Sequence, residues 1–203
     1  MRVIGGSARS VPLKTLPDMD TRPILDRLKK SLFSILDSAG LLAGRRVLDL
    51  YAGTGTLGIE ALSRGAALGL FVERRPEAVG LLKENLAKTR LAERAEVRCG
   101  DVGRNVQALL AARQAAPAGQ PFDLILYDPP FAFSREESSR AALEAEMSAA
   151  LRLLSPEGRL VLRCEKATTP PAPAGGVLAR HWTDGPHALC FYEAPQTQEC
   201  HGR

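Results

Sequence analysis

Two stretches of this sequence carry residue types at spacings that could do chemistry. Residues 46–60 read Arg-Val-Leu-Asp-Leu-Tyr-Ala-Gly-Thr-Gly-Thr-Leu-Gly-Ile-Glu, a buried strand that runs into a glycine turn and the first turns of a helix. Gly53 and Gly55 allow the backbone to come close to a bound molecule, and Gly58 suits a helix packed tightly on its strand. Read literally, this is the G-x-G-x-x-G dinucleotide fingerprint. Asp49, placed before the glycines at the carboxyl end of the strand, argues against a pyrophosphate and for a cationic ligand that carries an amino group. The second stretch, Asp128-Pro129-Pro130-Phe131, follows another short apolar strand. Consecutive prolines fix an extended backbone and donate no N–H. The turn therefore offers carbonyl acceptors and a carboxylate, which can hold an exocyclic amino group by its hydrogens, while Phe131 offers a flat face for an unstacked base.

The elements that must position these stretches alternate between short apolar strands and amphipathic helices. After the opening strand and a helix to about Arg64, strands are expected at Gly69–Glu73, Glu96–Asp101, Phe122–Asp128, Gly158–Cys164, Val177–Trp182 and His187–Glu193. Helices are expected at Pro76–Thr89, Val102 to about Ala112, and Arg135–Leu154, with a polar connection over Ala115–Pro121 and a proline-rich loop over Lys166–Gly176. Asp184-Gly185-Pro186 reads as the turn between the last two strands. This order predicts an α/β fold: a Rossmann-like, mostly parallel sheet with an antiparallel edge and helices on both faces. In such a sheet Asp49, Glu73 and Asp101 fall at or just past the carboxyl ends of successive strands, where one extended ligand with several polar groups could meet all three.

Ahead of the sheet, residues 1–22 form a basic arm or small hairpin bearing Arg2, Arg9, Lys14 and Arg22. Thr21-Arg22-Pro23 then starts a helix whose apolar set, from Ile24 to Leu36, keeps helical spacing. Arg27, Lys29 and Lys30 lie largely off that stripe, so arm and helix together could present one positive surface to a phosphate backbone. A main domain over residues 23–194 and a frayed tail over 195–203 complete the expected organisation. The chain's 203 residues suit one domain, and its formal net charge of +4 favours an acidic partner without requiring one.

Cys99, Cys164, Cys190 and Cys200 show no metal-ligand spacing, so no metal is expected. The first three read as small core residues in a reduced, cytoplasmic protein. No apolar run long enough for a membrane span and no signal peptide is visible, and nothing suggests more than a monomer. His181 and His187 read as surface or packing residues on late strands.

The motif Val-Leu-Asp-Leu-Tyr-Ala-Gly-Thr-Gly with a later Asp-Pro-Pro-Phe resembles Rossmann-like, S-adenosylmethionine-dependent methyltransferases that act on a planar amino nitrogen. Further segments narrow the likeness: Arg-Val-Ile-Gly-Gly near the start, Thr-Arg-Pro before a basic helix ending Leu-Phe-Ser-Ile-Leu, and Gly-Ile-Glu-Ala-Leu-Ser-Arg-Gly-Ala after the glycine turn. Over residues 1 to about 193 the chain is similar to the bacterial ribosomal RNA small subunit methyltransferase D family. The resemblance implies methyl transfer from S-adenosylmethionine to N2 of one guanine in 16S rRNA, within the assembled small subunit, leaving S-adenosylhomocysteine. It implies that Asp49, Gly53 and Gly55 surround the methionine portion of the cofactor, Glu73 meets the ribose hydroxyls and Asp101 lies near the adenine. It also counts Tyr51 among the cofactor-binding residues and makes Asp128, Pro129, Pro130 and Phe131 the catalytic loop. Tyr51 and Phe131 stand where phenylalanine and tyrosine are more usual in those motifs; each keeps the aromatic ring.

Three other classes compete. A DNA adenine-N6 or cytosine-N4 amino-methyltransferase would use the same loop chemistry, although no extra target-recognition domain is recognisable. An NAD-dependent oxidoreductase fits the literal glycine fingerprint and the Glu73 spacing, but is opposed by Asp49 and by Asp-Pro-Pro-Phe. A non-catalytic RNA-binding assembly factor would keep the basic arm and helix, yet would have little need for the aligned acids.

Overall fold

The structure, a computed structural model, describes residues 1–16, 26–115, 120–130 and 137–194. Helix α1 (Asp26–Ser38) leads into β1 (Arg46–Leu50), α2 (Thr56–Ser63), β2 (Leu68–Glu73), α3 (Pro76–Thr89) and β3 (Ala95–Cys99). Then follow α4 (Val102–Ala115), β4 (Phe122–Tyr127), α5 (Glu137–Leu151), β5 (Leu154–Glu165), β6 (Val177–Asp184) and β7 (His187–Glu193). The seven strands form one sheet in the order β3-β2-β1-β4-β5-β7-β6. The first five run parallel, β7 pairs antiparallel with β5, and β6 pairs antiparallel with β7 at the edge. The chain reverses its direction of winding between β3 and β4, so the carboxyl ends of β1 and β4 lie side by side at the switch point.

Strand alternation sorts the core into two layers. Val47, Phe71, Leu124, Leu126, Val161 and Leu189 face α1, α2 and α3, and Leu48, Leu50, Ile125, Tyr127, Leu160 and Leu162 face α4 and α5. Because the side-chain period along a strand is two, Asp49, Glu73, Asp128 and Arg163 share the first of these faces. Among the described residues no helix is long and apolar enough to cross a membrane.

The elements expected from the sequence are present, with shifted ends. Helix α5 stops at Leu151, three residues early, and β5 begins at Leu154 and bends where the register slips between Phe122 and Leu124. Cys164 and Cys190 are buried as expected, but Cys99 is exposed: β3 is an edge strand and its outward side has no cover. His181 is exposed and His187 buried.

The first thirteen residues form a small hairpin, closed by backbone hydrogen bonds from Val3 N–H to Val11 O at 3.0 Å and from Leu13 N–H to Met1 O at 2.9 Å. Val3, Ala8 and Leu13 are buried in the core layer of α1–α3. The hairpin is docked through α2: Ala8 N–H donates to Ser63 Oγ at 2.9 Å, Ser63 Oγ donates to Gly5 O at 2.6 Å, and Ile4 N–H donates to Glu60 Oε2 at 2.8 Å. Glu60 is fully buried, and its other oxygen accepts from Arg64 Nε at 2.8 Å.

Lys29 corrects the sequence reading. It is fully buried, donates from Nζ to Arg2 O at 2.5 Å and lies 3.6 Å from Glu60, so it cannot reach a phosphate backbone. Burial lowers its pKa, and the charges of Glu60 and Asp26 oppose that shift. The helical spacing of Lys29 with Leu28, Leu32, Phe33 and Leu36 accounts for its place: it sits on the inward side of α1. Glu60→Ala, which strands this buried ammonium, is expected to cost about 3–5 kcal/mol in urea unfolding. Lys29→Met, which leaves Glu60 bound to Ile4 and Arg64, is expected to cost clearly less. Equal losses would show that the stranded ammonium is not what sets the cost of Glu60→Ala.

Candidate active site

The glycine turn leaves β1 with Tyr51 in the left-handed region at φ 62, an uncommon conformation for a side-chain-bearing residue. Gly53 (φ 55) and Gly55 (φ 85) follow, and Gly55 is the N-cap of α2. A Cβ on Gly55 would come within 2.2 Å of Leu82 Cδ1, and one on Gly58 within 2.3 Å of Phe71 Cε1 and 2.8 Å of Asp49 Oδ2. The glycines thus set α2 directly against β1 and β2.

That close packing brings the start of α2 onto Asp49. Gly58 N–H donates to Asp49 Oδ2 at 2.8 Å, and the carboxyl group is only 2% exposed. Burial pushes its pKa up to about 8, the hydrogen bond from Gly58 opposes this, and the charges of Asp128 and Glu73 add to the rise. Glu73, also buried, accepts from Gly53 N–H through Oε2 and from Arg75 N–H through Oε1, each at 2.9 Å. It therefore fixes the shape of the glycine turn, and each oxygen keeps a further lone pair for a ligand hydroxyl. Asp101 is exposed and caps α4, accepting from Arg104 N–H at 3.0 Å. The sequence-expected acids thus stand at the carboxyl ends of β1, β2 and β3, each bonded to the loop or helix that follows it.

Asp128 follows β4 and is anchored twice: its N–H donates to Leu50 O at 3.3 Å, and its Oδ1 accepts from Arg163 Nε at 2.7 Å. Register explains the second contact, because Leu162 of β5 lies opposite Tyr127 and Arg163 therefore falls opposite Asp128. Pro129 is buried and Pro130 half-buried; Phe131 lies outside the described residues, as does Arg22.

Several contacts of this region, and the residues Tyr127, Glu146, Asn85 and Arg163, were not singled out from the sequence. Tyr51 and Tyr127 meet edge to face with ring centroids 5.4 Å apart, and both hydroxyls donate to Glu146 Oε1 of α5, at 2.8 and 2.5 Å. Burial and the Glu146 charge hold both phenols above their ordinary pKa, so they remain donors, and burial raises Glu146 as well. Asn85 of α3 is buried and reads two segments at once. Its Nδ2 donates to Thr54 O of the glycine turn at 2.9 Å, and its Oδ1 accepts from Lys14 N–H at 2.8 Å. The one available sequence signal was polarity in an apolar setting, since Asn85 precedes Leu86 on the inward face and Arg163 stands between Leu162 and Cys164.

The basic residues are dispersed more than expected. Arg2 lies 3.5 Å from Asp26, Lys14 pairs with Glu84 at 2.5 Å and Arg27 pairs with Asp184, while Arg9 and Lys30 are exposed. Among the described residues no group of three or more His, Cys, Asp or Glu side chains is arranged to hold a metal.

Comparison with known proteins matches residues 1–193 to a family described as conserved hypothetical protein 95. YlbH, an inferred rRNA methyltransferase of Bacillus subtilis (strain 168), is 34% identical over 95% of this chain and 98% of its own length. The ribosomal RNA small subunit methyltransferase D of Haemophilus influenzae is 32% identical over 95% of this chain and 93% of its own. Among solved structures, a hypothetical protein of Thermus thermophilus is 34% identical with a TM-score of 0.76, covering 96% of this chain and 99% of that one.

A carboxyl group raised by folding binds a proton in the native state that the unfolded chain releases from about pH 4 upward. Native stability is therefore expected to fall as pH rises through the window that ends near 8. Asp49→Asn should flatten that dependence, read as melting temperature of the ligand-free protein between pH 5 and 9. Parallel curves for the two proteins would remove Asp49 as its source.

Proposed function

The chain belongs to the ribosomal RNA small subunit methyltransferase D family, and on that premise we propose that it transfers a methyl group from S-adenosylmethionine to the exocyclic N2 of a guanine in 16S rRNA. The observation that carries this reading is the gathering of Asp49, Glu73 and Asp128 at one end of adjacent strands, where burial chiefly, and the neighbouring charges in addition, raise Asp49. A pyrophosphate would add negative charge beside the buried Asp49 and Glu73; a sulfonium with an ammonium group is favoured there. The residues present therefore fit the cofactor. Asp49 and the Gly53–Gly55 turn would hold its methionine end, Glu73 its ribose hydroxyls and Asp101 its adenine, with Tyr51 alongside. When bound, S-adenosylmethionine supplies an electrophilic methyl group.

The protein's part in the transfer is placement. The lone pair of a guanine amino group is delocalised into the ring, so the nitrogen needs orientation more than deprotonation. Asp128 and the Pro129 carbonyl accept its two N–H groups and turn the remaining lone pair outward, and Pro130, which has no N–H, offers no competing donor. Phe131 stacks on the base. The proton leaves after transfer, to Asp128 or to water. Residues 1–22 form an RNA-facing arm and residues 23–194 the methyltransferase domain, with Arg2, Arg9, Lys14, Arg22, Arg27 and Lys30 as candidate phosphate contacts. The acceptor in this reading is the assembled small subunit, and the protein acts as a cytoplasmic monomer.

Tritiated S-adenosylmethionine offered with small subunits, naked 16S rRNA and duplex DNA tests the acceptor. Label is expected in small subunits at a guanine; label confined to DNA would replace this reading with a DNA amino-methyltransferase. Asp128→Ala is expected to abolish transfer while calorimetry shows cofactor affinity largely kept. Normal turnover by that variant would remove Asp128 from the chemistry.

A further inference from the structure

Arg163 is a guanidinium almost sealed in the sheet. It is 5% exposed, flanked along β5 by Leu162 and Cys164, and it pairs with a carboxylate that is 17% exposed. An ion pair in such a place contributes little net stability, because the desolvation of both charges offsets their attraction, and replacing both partners by apolar side chains of similar size is often neutral or stabilising. The pair is not needed to place the strands, since the register of β5 against β4 is already set by the backbone ladder from Leu124–Arg159 to Tyr127–Leu162. What the pair does fix is the rotation of the Asp128 carboxylate. The Nε–H to Oδ1 bond at 2.7 Å has the length of a charge-assisted bond, and the guanidinium plane restricts how the carboxylate can turn.

We propose that Arg163 is a positioning residue for the transfer. It holds Oδ1 of Asp128 from behind, so that the other carboxylate oxygen is committed to the incoming amino group at a set angle. Resting as it does on the amino-methyltransferase reading, this assigns Arg163 a role in turnover and none in cofactor binding. The backbone bond from Asp128 N–H to Leu50 O fixes where the residue begins, and Arg163 fixes where its oxygens end. A carboxylate swung by about an ångström would still be present but would no longer align the nitrogen, a displacement worth on the order of a hundredfold in rate.

The test is a double-mutant cycle on the full chain, with Arg163→Met and Arg163→Lys made alone and with Asp128→Asn, which keeps a carbonyl acceptor. Readouts are single-turnover rate at saturating cofactor, cofactor affinity by calorimetry and melting temperature. Arg163→Met is expected to lower the rate on the order of a hundredfold. Arg163→Lys, which keeps the charge but loses the planar fork, should fall between that and wild type, with affinity unchanged in both. In the Asp128→Asn background the same Met substitution should add little further loss, because the group it acts through is already altered.

Full turnover by folded Arg163→Met, losses that multiply independently with Asp128→Asn, or a parallel fall in cofactor affinity would each overturn the proposal; if the Met variant does not fold, wild-type turnover by Arg163→Lys decides against it. If wild type labels DNA in place of rRNA, the ribosomal reading falls, and the cycle, run on that acceptor, still judges Arg163. If wild type labels no nucleic acid, both fall.

Discussion

The burial of carboxyl groups at the ends of parallel strands organises this site. Parallel strands deliver Asp49, Glu73 and Asp128 to one end of one face of the sheet, and a cluster of that kind is unfavourable unless each charge is met by something fixed. The fold answers with backbone N–H groups from α2, the glycine turn and the start of α3, and with the guanidinium of Arg163. The Gly58 donation requires a close approach that a side chain would obstruct, since a Cβ there would come within 2.8 Å of Asp49 Oδ2. The glycines are thus as much a consequence of the acids as a means of admitting a ligand.

A second constraint runs through α2. Its amino end bonds Asp49 through Gly58, and its carboxyl half bonds the N-terminal hairpin through Glu60 and Ser63. Eight residues therefore join the ligand crevice to the chain terminus through one rigid element. The segment Gly-Ile-Glu-Ala-Leu-Ser-Arg-Gly-Ala, which gives the chain part of its family likeness, owes its composition to this docking. Glu60 bonds the hairpin and Arg64 and faces Lys29, and Ser63 both donates to and accepts from hairpin backbone.

The sheet, its helices and the two motif stretches were legible because each depends on local signals: apolar runs of strand length, helical spacing, and glycine and proline whose effects are confined to their own backbone. The charged pairs were not. Arg163 and Asp128 are 35 residues apart in sequence and Tyr51 and Glu146 are 95 apart, and nothing in either neighbourhood names its partner. Lys29 shows the opposite error. Read from sequence, it lies off the apolar stripe of α1 with its basic neighbours, because a buried lysine is rare unless a partner is supplied from elsewhere in the chain, and here Glu60 is that partner. Cys99 shows that a short strand can lie at a sheet edge, a matter of strand order that alternation does not encode.

The hairpin's hydrogen bonds have a bearing on how the chain is made. Lys14 meets Asn85 across 71 residues, and Ala8 meets Ser63 across 55. During synthesis from the amino end, Val3, Ala8 and Leu13 have no surface to cover them until α2 and α3 have been translated. The hairpin, translated before the helices that cover it, is thus among the last pieces to settle, and its apolar side is a burden for the nascent chain until then.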